Sequence, residues 1–217
     1  MKNVIAVDGP TASGKGTLAR RLAAHFGYDW LDTGALYRAT ALGLRREGIT
    51  GPDEATAVRA AEGIEPDDLS DPALREEATG NLASTVAAIQ PVRDALFRYQ
   101  RDFAANPPGG RGAVLDGRDI GTVICPDAPA KLFVTASDEV RAGRRFRELT
   151  DKGVTVKYED VLEDLRNRDA RDQKRSNAPL SKADDAVLID TTELDIEAAF
   201  SACLKACLSR LDGKNAG

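Results

Sequence analysis

The chain has 217 residues, enough for one compact domain, and 42% of them are hydrophobic, which is ample for a buried core. Its formal charge of −5 argues against a broad surface for nucleic acid or for an anionic membrane, so any anion-binding function must come from local clusters of charge. No segment approaches the roughly 20 consecutive apolar residues that span a bilayer, and a strand-like run begins almost at once, so we expect a soluble cytoplasmic protein without a secretory signal.

Short apolar runs alternate with helical patterns in the first part of the chain. Val4 to Val7 predicts a strand, and the helix that follows carries one apolar stripe and ends at Gly27. Tyr28 to Leu31 predicts a second strand, and Gly34 to Arg46 predicts a second helix. The next segment, residues 51–71, is acidic and is interrupted by prolines and a glycine, which breaks the alternation.

Two prolines mark later helix starts. Asp71 followed by Pro72 resembles an N-cap with proline at the first helical position, and Pro91 opens a further helix. The apolar residues of that helix are spaced by four, three and four, which is typical of one helix face. They are Val92, Leu96, Tyr99 and Phe103.

Three further apolar runs complete the pattern, at residues 113–115, 132–134 and 186–189. A long charged helical region, Asp138 to Arg175, separates the last two runs, and Thr192 is placed to cap the terminal helix. Five short strands separated by helices predict an α/β fold. We expect a five-stranded parallel sheet with right-handed crossovers and helices on both faces.

A glycine-rich loop lies between the first predicted strand and the first helix. It has four residues between two glycines and then a lysine, as in a P-loop: Gly9, Pro10, Thr11, Ala12, Ser13, Gly14, Lys15, Gly16 and Thr17. Glycines let backbone N–H groups turn towards phosphate oxygens, the helix N-terminus is electropositive, and Lys15 supplies a point charge. We therefore predict that these nine residues bind ATP, with Lys15 catalytic and the Thr17 hydroxyl helping to hold Mg²⁺.

Other classes of P-loop protein fit the sequence less well. The hydroxyl follows Gly16 instead of following the lysine directly, a variant that resembles nucleoside monophosphate kinases more than GTPases. The Asn/Thr-Lys-x-Asp segment with which GTPases read their base is absent, and P-loop motors on nucleic acid are usually longer and more basic. A kinase for a small molecule is the class that remains.

Two polar segments begin where predicted strands end, the place at which open α/β sheets bind ligands. Asp32 to Arg38 brings a hydroxyl, an aromatic ring and a guanidinium, and Asp116 to Thr122 brings two carboxylates and an arginine. An arginine can bind phosphate through two N–H groups, and a carboxylate can accept from an exocyclic amine. An ion pair between Arg118 and a neighbour is the alternative explanation.

The charged helical region starts with an inward apolar stripe at Val161 and Leu165. Continuing by turns reaches Arg168, Asp172 and Arg175, so charges occupy the face that the apolar residues began. Phosphoryl transfer needs cations around the moving group and the exclusion of water, and a lid of arginines that closes over bound substrates supplies both. Two arginines of the preceding helix are further expected members of this lid: Arg141 and Arg145.

The chain as a whole resembles the bacterial cytidylate kinases. Five segments occur in the order of that family: the phosphate loop, Asp32–Arg38, Ser84–Arg93, Asp116–Thr122 and Arg168–Arg175. The likeness covers nearly the whole chain, and Asp-Gly-Arg-Asp is more specific to the family than the phosphate loop.

The resemblance implies roles for particular residues. Those implied to contact cytosine are Ser84, Arg93 and Asp119. Those implied to contact phosphate or ring are Thr33, Tyr37 and Arg118. Those implied to approach phosphate or ribose are Arg168, Asp172 and Arg175.

Two features depart from the family pattern. Thr33 stands where serine is commoner, which keeps the hydroxyl and adds a methyl group. Longer family members carry a β-rich insertion before the Ser84 region, and here only a short acidic stretch, Gly63 to Leu74, occupies that place. Base specificity is therefore less firmly implied than phosphate chemistry.

We expect one P-loop kinase domain over residues 1–217, with a mostly helical acceptor-binding region over 49–106 and a lid region over 138–180. The predicted reaction is ATP plus CMP or dCMP giving ADP plus CDP or dCDP, with Mg²⁺ as cofactor. Its expected catalytic residues are Lys15, Arg118, Arg168 and Arg175. The expected partners are small nucleotides, without nucleic acid or membrane, and we expect a monomer. A kinase for UMP, AMP or a hydroxyl-bearing metabolite and a nucleotide-binding module without turnover remain open.

Overall fold

The computed structural model describes residues 3–174 and 178–211. These residues contain one five-stranded sheet of order β2-β3-β1-β4-β5, and every neighbouring pair in it is parallel. Its strands are β1 Val4–Asp8, β2 Asp29–Asp32, β3 Ala113–Gly117, β4 Ala130–Thr135 and β5 Val187–Asp190. The α/β fold that the alternating runs predict is confirmed.

The α-helices of the described residues are α1 Lys15–Phe26, α2 Thr33–Arg46, α3 Glu54–Glu62, α4 Glu77–Val86, α5 Gln90–Ala105, α6 Asp138–Asp151, α7 Tyr158–Lys174 and α8 Ile196–Leu211. The acidic segment before α4 folds into two short 3₁₀ turns, Pro66–Ser70 and Pro72–Arg75. Asp71 caps the second of these turns, since its side chain accepts from the N–H of Ala73 at 2.8 Å. A single π-helical turn, Ile120–Ile124, follows β3.

Both faces of the sheet are buried. Val4 and Ala6 of β1 belong to the core cluster beneath α2, α3 and α5, whereas Ile5 and Val7 belong to the cluster beneath α1 and α8. Because side chains alternate along a strand, a run that is apolar at every position is what a sheet covered on both sides requires. The helices on both faces are thus a consequence of the continuous apolar runs.

The buried stripe of α5 differs from the predicted one. Tyr99 is 37% exposed, and Gln100 takes the inward place with its amide donating to the carbonyl of Leu96 at 3.1 Å. The buried residues of α5 are Val92, Arg93, Leu96, Gln100 and Ala104, and Phe103 packs against the same core. The inward prediction was therefore wrong for Tyr99 and right for Val92, Leu96 and Phe103, and it missed Gln100, whose side chain hydrogen-bonds within its own helix.

One prediction about a helix end was also wrong. Thr192 does not cap α8: Asp195 does, by accepting from the N–H of Ala198 at 2.8 Å. The charged helical region contains two helices, as expected from the placement of Arg141 on the helix before Tyr158, and Gly153 adopts a left-handed φ of 76° just after α6. Within the described ranges, every helix is too short or too polar to cross a membrane.

Candidate active site

The phosphate loop joins β1 to α1 with a backbone that only some residues allow. Gly9 has φ 154°, and a Cβ there would lie 2.0 Å from the carbonyl oxygen of Val134, so no side chain fits. Ala12 has φ 57°, an uncommon left-handed conformation for a residue with a side chain. The loop therefore holds a strained shape that its surroundings must stabilise.

Lys15 begins α1 and lines the cleft beside the loop. Its Nζ donates to the carbonyl oxygen of Pro10 at 3.3 Å. Burial, followed by the charge of Arg118, lowers the pKa of Lys15 to about 7. The buried Ser13 hydroxyl has no hydrogen-bond partner among the described residues. A phosphate bound here would stabilise the charged form of Lys15 and give the Ser13 hydroxyl an acceptor.

One cleft of about 290 Å³ lies at the carboxyl ends of β1, β2 and β3. Many of the predicted site residues line it: Ala12, Ser13, Gly14, Lys15, Gly16, Thr17, Thr33, Tyr37, Ser84, Arg93, Arg118, Asp119, Arg168 and Asp172. Gly9, Pro10 and Thr11 form the rest of the loop without lining this cleft. Arg175 lies outside the described residues.

One end of the cleft combines a buried ion pair with a hydroxyl group. The guanidinium of Arg93 pairs with the carboxylate of Asp119, and their side chains are only 6% and 8% exposed. The Arg93 guanidinium also lies 5.8 Å from the ring centre of Tyr37. Ser84 Oγ is buried and has no partner among the described residues. A base with both donors and acceptors on its edge suits this end.

The middle of the cleft is rich in arginine. Arg118 Nε donates to Asp172 Oδ2 at 2.8 Å, so the ion pair left open as an alternative does exist, and both of its partners line the cleft. Burial alone would lower the pKa of Arg118, but the carboxylates of Asp172, Asp169 and Asp116 together outweigh it, and the net shift is upward. Burial and then the charge of Arg118 lower the pKa of Arg168 to about 10. Two arginines thus face the same space, and an anion between them would relieve their repulsion.

Two carboxylates at strand ends are buried behind these groups. Asp8 accepts from the N–H groups of Ile120 and Gly121 at 2.8 and 2.7 Å, and burial raises its pKa to about 7. Asp116 accepts from Trp30 Nε1 at 2.7 Å, and burial followed by the charge of Asp32 raises its pKa to about 6. The hydrogen bonds of Asp8 fix the backbone that follows Asp119, whereas Asp116 lines the cleft.

Two residues expected in the lid lie elsewhere. Arg141 is buried behind the phosphate loop with a side chain 4% exposed, because Asp169, Asp138 and two backbone carbonyls fill its donors. Arg145 pairs with Glu148 at 2.9 Å and does not line the cleft. Placing Arg141 and Arg145 around the reacting group was therefore wrong.

Sequence reasoning gave Trp30 no role in the cleft. Arg38 and Trp30 line the cleft, and Arg38 Nη1 lies 3.3 Å from Asp32 Oδ2. Arg38 ends the first polar segment, and its guanidinium is the one that the sequence analysis expects at a ligand. The Thr33 hydroxyl, expected to contact a ligand, donates to the carbonyl of Asp116 at 2.8 Å. Its oxygen is therefore left as an acceptor in this structure.

A second groove, about 470 Å³, lies on the other side of the phosphate loop. Arg144 spans it by donating to Ser13 O at 3.3 Å and to Thr191 O at 2.8 Å. Leu194 and Ile196 give the groove apolar surface. The sequence offered a weak signal, since Arg144 lies one turn after Arg141 on the same helix.

The cleft suits a metal that arrives with its ligand. Among residues 3–174 and 178–211, no group of three or more His, Cys, Asp or Glu side chains could hold a metal ion. Thr17 offers an exposed hydroxyl at the mouth of both spaces. Mg²⁺ characteristically keeps waters and phosphate oxygens and takes only one or two protein oxygens. The donor set therefore fits Mg²⁺ carried by a nucleotide.

Comparison of the sequence with known proteins gives a consistent family. Residues 5–207 match the family model described as cytidylate kinase. A cytidylate kinase of Xanthobacter autotrophicus is 57% identical over 211 residues, which cover 97% of this chain and 100% of the relative. Cytidylate kinases of Methylocella silvestris and Paramagnetospirillum magneticum are each 56% identical, over 99% and 94% of this chain and 98% and 97% of theirs.

Comparison with solved structures supports the fold. A gluconokinase of Sinorhizobium meliloti superposes with a TM-score of 0.51 at 16% identity, over 99% of this chain and 97% of that chain. An uncharacterized protein from Eubacterium ventriosum superposes with a TM-score of 0.54 at 17% identity, over 96% and 99%. At these identities the similarity concerns the fold alone.

Proposed function

The chain belongs to the cytidylate kinase family, and we propose that the cleft described above carries out the transfer of the γ-phosphoryl group of ATP to CMP and dCMP. The products are ADP and CDP or dCDP. The observation that carries the assignment is the arrangement of the cleft, in which a phosphate loop and an arginine pair adjoin a buried end that can read a base.

Cytosine would bind at the Arg93–Asp119 end of the cleft. Its exocyclic amine is a donor, which the Asp119 carboxylate can accept, and its ring nitrogen and carbonyl are acceptors for Arg93 and Ser84. Ser84 Oγ, buried and without a partner among the described residues, supports this role because a buried hydroxyl is normally satisfied. Helices α3 to α5 supply two of these residues, so we propose 49–106 as the acceptor-binding region.

The acceptor phosphate would then lie among the arginines. Arg38, Arg118 and Arg168 line that part of the cleft, and Tyr37 closes its wall. Arg175 follows α7 directly in sequence, and we retain its proposed role at the same phosphate. Asp172 pairs with Arg118, and we propose that it also meets the ribose.

ATP would bind across the phosphate loop, with its phosphates on the backbone N–H groups and Lys15. Its nucleoside fits the second groove, where Arg144 and apolar side chains offer a surface for a base. We propose that Thr17 contributes one oxygen to Mg²⁺, which when bound neutralises charge on the ATP phosphates.

The chemistry follows from this arrangement. An oxygen of the CMP phosphate attacks the γ-phosphorus as the bond to the ADP oxygen breaks, and charge accumulates on the oxygens of the moving group. Lys15, Arg118 and Arg168 stabilise that charge, and the proposed closure of residues 138–180 excludes water from it. The attacking oxygen is already anionic, so no side chain has to remove a proton from it.

We also propose that the enzyme acts as a cytoplasmic monomer on small nucleotides and not on nucleic acid. Each residue assigned above comes from one chain, and the net charge of −5 would repel a polyanion. Sedimentation of the purified protein as a dimer at assay concentration would contradict the monomer.

Substitution of Lys15 tests the proposed function. With ATP, Mg²⁺ and CMP, the wild-type protein should form CDP and ADP in equal amounts, and Lys15→Ala should lower kcat by about 100-fold or more. The unfolding temperature should be retained, because burial disfavours the charged form of Lys15 and its removal takes away no stabilising charge. Lys205→Ala, on the exposed face of α8, is the control and should keep full activity. Turnover by Lys15→Ala within tenfold of wild type would contradict the role.

A further inference from the structure

Two arginines from different elements hold the same residue of the phosphate loop. Arg141 Nη1 donates to the carbonyl oxygen of Thr11 at 3.0 Å, and Arg118 Nη2 donates to the Thr11 hydroxyl at 2.8 Å. Each arginine also pairs with a carboxylate of α7: Arg141 with Asp169 at 2.6 Å and Arg118 with Asp172 at 2.8 Å. The loop is thereby tied to α7 through two separate ion pairs.

The contact from Arg141 fixes the orientation of one peptide group. The carbonyl of Thr11 and the N–H of Ala12 belong to the same planar trans peptide and point in opposite directions. Because Arg141 holds the carbonyl from behind the loop, the Ala12 N–H points away from Arg141, and Ala12 lines the cleft. Ala12 has φ 57°, a conformation that persists only where neighbours hold it.

Asp169 in turn fixes Arg141. Its side chain is 11% exposed; one carboxylate oxygen pairs with Arg141, and the other has no hydrogen-bond partner among the described residues. The other donors of Arg141 go to Ala136 O at 3.0 Å and to Asp138 at 2.6 Å. A buried ion pair contributes little net stability, so its role is better explained by orientation than by folding.

We propose that Arg141 and Asp169 are positioning residues for ATP, which act through the Thr11–Ala12 peptide and keep a phosphate-binding N–H directed into the site. This inference rests on the proposed ATP-dependent reaction. Asp169 lies about one turn before Asp172 on α7. Helix α7 therefore connects the proposed acceptor site, through Asp172, with the loop that binds ATP, through Asp169 and Arg141.

Asp169 variants separate positioning from general stability. The dissociation constants of ATP with Mg²⁺ and of CMP, each measured alone by calorimetry, should respond differently. Asp169→Ala should weaken ATP about tenfold or more and CMP less than about threefold, because only the loop loses its support. Asp169→Asn keeps an oxygen that accepts from Arg141, and it should restore most of the ATP affinity.

Arg166→Met is the matched control. Like Asp169, Arg166 lies on α7 and pairs with α6, through Asp138 and Glu139, but it is exposed and shares with Arg141 only the partner Asp138. Its ATP affinity should stay within about twofold of wild type. If Asp169→Ala does not fold, Arg141→Lys takes its place, since one ammonium group cannot make all four contacts of the guanidinium, and the same selective loss of ATP affinity is expected.

Two results would overturn the inference alone. One is an ATP affinity unchanged in the variants, and the other is a loss of ATP and CMP affinity by the same factor, as a purely structural pair would give. Both leave the proposed function intact, provided that the wild-type protein binds both nucleotides. A wild-type protein that binds no ATP would refute the proposed function and this inference together.

Discussion

Asp8 illustrates how one buried carboxylate holds the segment that carries Arg118 and Asp119. Both of its oxygens accept backbone N–H groups directly after Asp119, and burial raises its pKa to about 7. The unfolded chain would have a pKa near the ordinary 3.8. Between pH 4 and 7 the folded protein therefore binds a proton that the unfolded chain has lost, so the contribution of Asp8 to stability decreases as pH rises through that window.

Asp8→Asn tests this pH dependence. The amide does not titrate, so the free energy of unfolding of the wild type relative to the variant should fall between pH 4.5 and 6.5. One group can supply at most about 1.4 kcal/mol per pH unit. Urea unfolding at three pH values measures the difference, with the exposed Asp184→Asn as control. A difference that stays constant with pH would show that Asp8 is ionised in the folded protein throughout.

At the scale of the element, the first half of α7 packs through apolar residues, and its second half contributes charged residues to the cleft. Val161 and Leu165 are buried, as the stripe predicts, and Asp169 and Asp172 continue the buried face, while Arg168 lines the cleft. The prediction that these charges would face an open cleft was incomplete. Arg118 and Arg141 already pair with the two aspartates, and helical periodicity could not reveal partners that lie 54 and 28 residues away in the chain.

Closure of the 138–180 region as a lid remains a prediction. Arg118 and Arg168 repel each other in the absence of an anion, so phosphate between them should draw α7 onto the cleft. Hydrogen exchange across residues 151–180 should slow when a bisubstrate analogue of ATP and CMP is added. Exchange in α8, which packs on the far face of the sheet, should not change. Equal protection of residues 151–180 in both states would mean a rigid network, and the lid should then be abandoned.

Some helix details depended on contacts that sequence patterns do not contain. Thr192 and Asp195 are both good caps, and the choice between them depends on where the chain leaves β5. Tyr99 was placed inward because it is apolar, but the helix turns Gln100 inward and satisfies its amide internally. Local propensity fixed the existence of these helices, whereas packing fixed their ends and faces.

At the scale of the whole molecule, the parallel sheet explains why much of the site could be predicted. Parallel strands end at one edge, so polar segments after β1, β2 and β3 had to meet there, and they do. The second groove and the role of Arg141 could not be predicted in this way. They depend on how α6 and α8 pack beside the loop, which no spacing along the chain records.

The most direct test of the account is the choice of acceptor, measured as kcat/KM by ADP release with CMP, dCMP, UMP, AMP and GMP. CMP and dCMP should be the best acceptors and UMP should be well behind, because the Asp119 carboxylate can accept from the amine that UMP lacks. Asp119→Ala should lower kcat/KM for CMP more than for UMP. Equal or higher kcat/KM with AMP or GMP would contradict the assignment of the acceptor, and an equal loss for CMP and UMP in Asp119→Ala would contradict the role of Asp119.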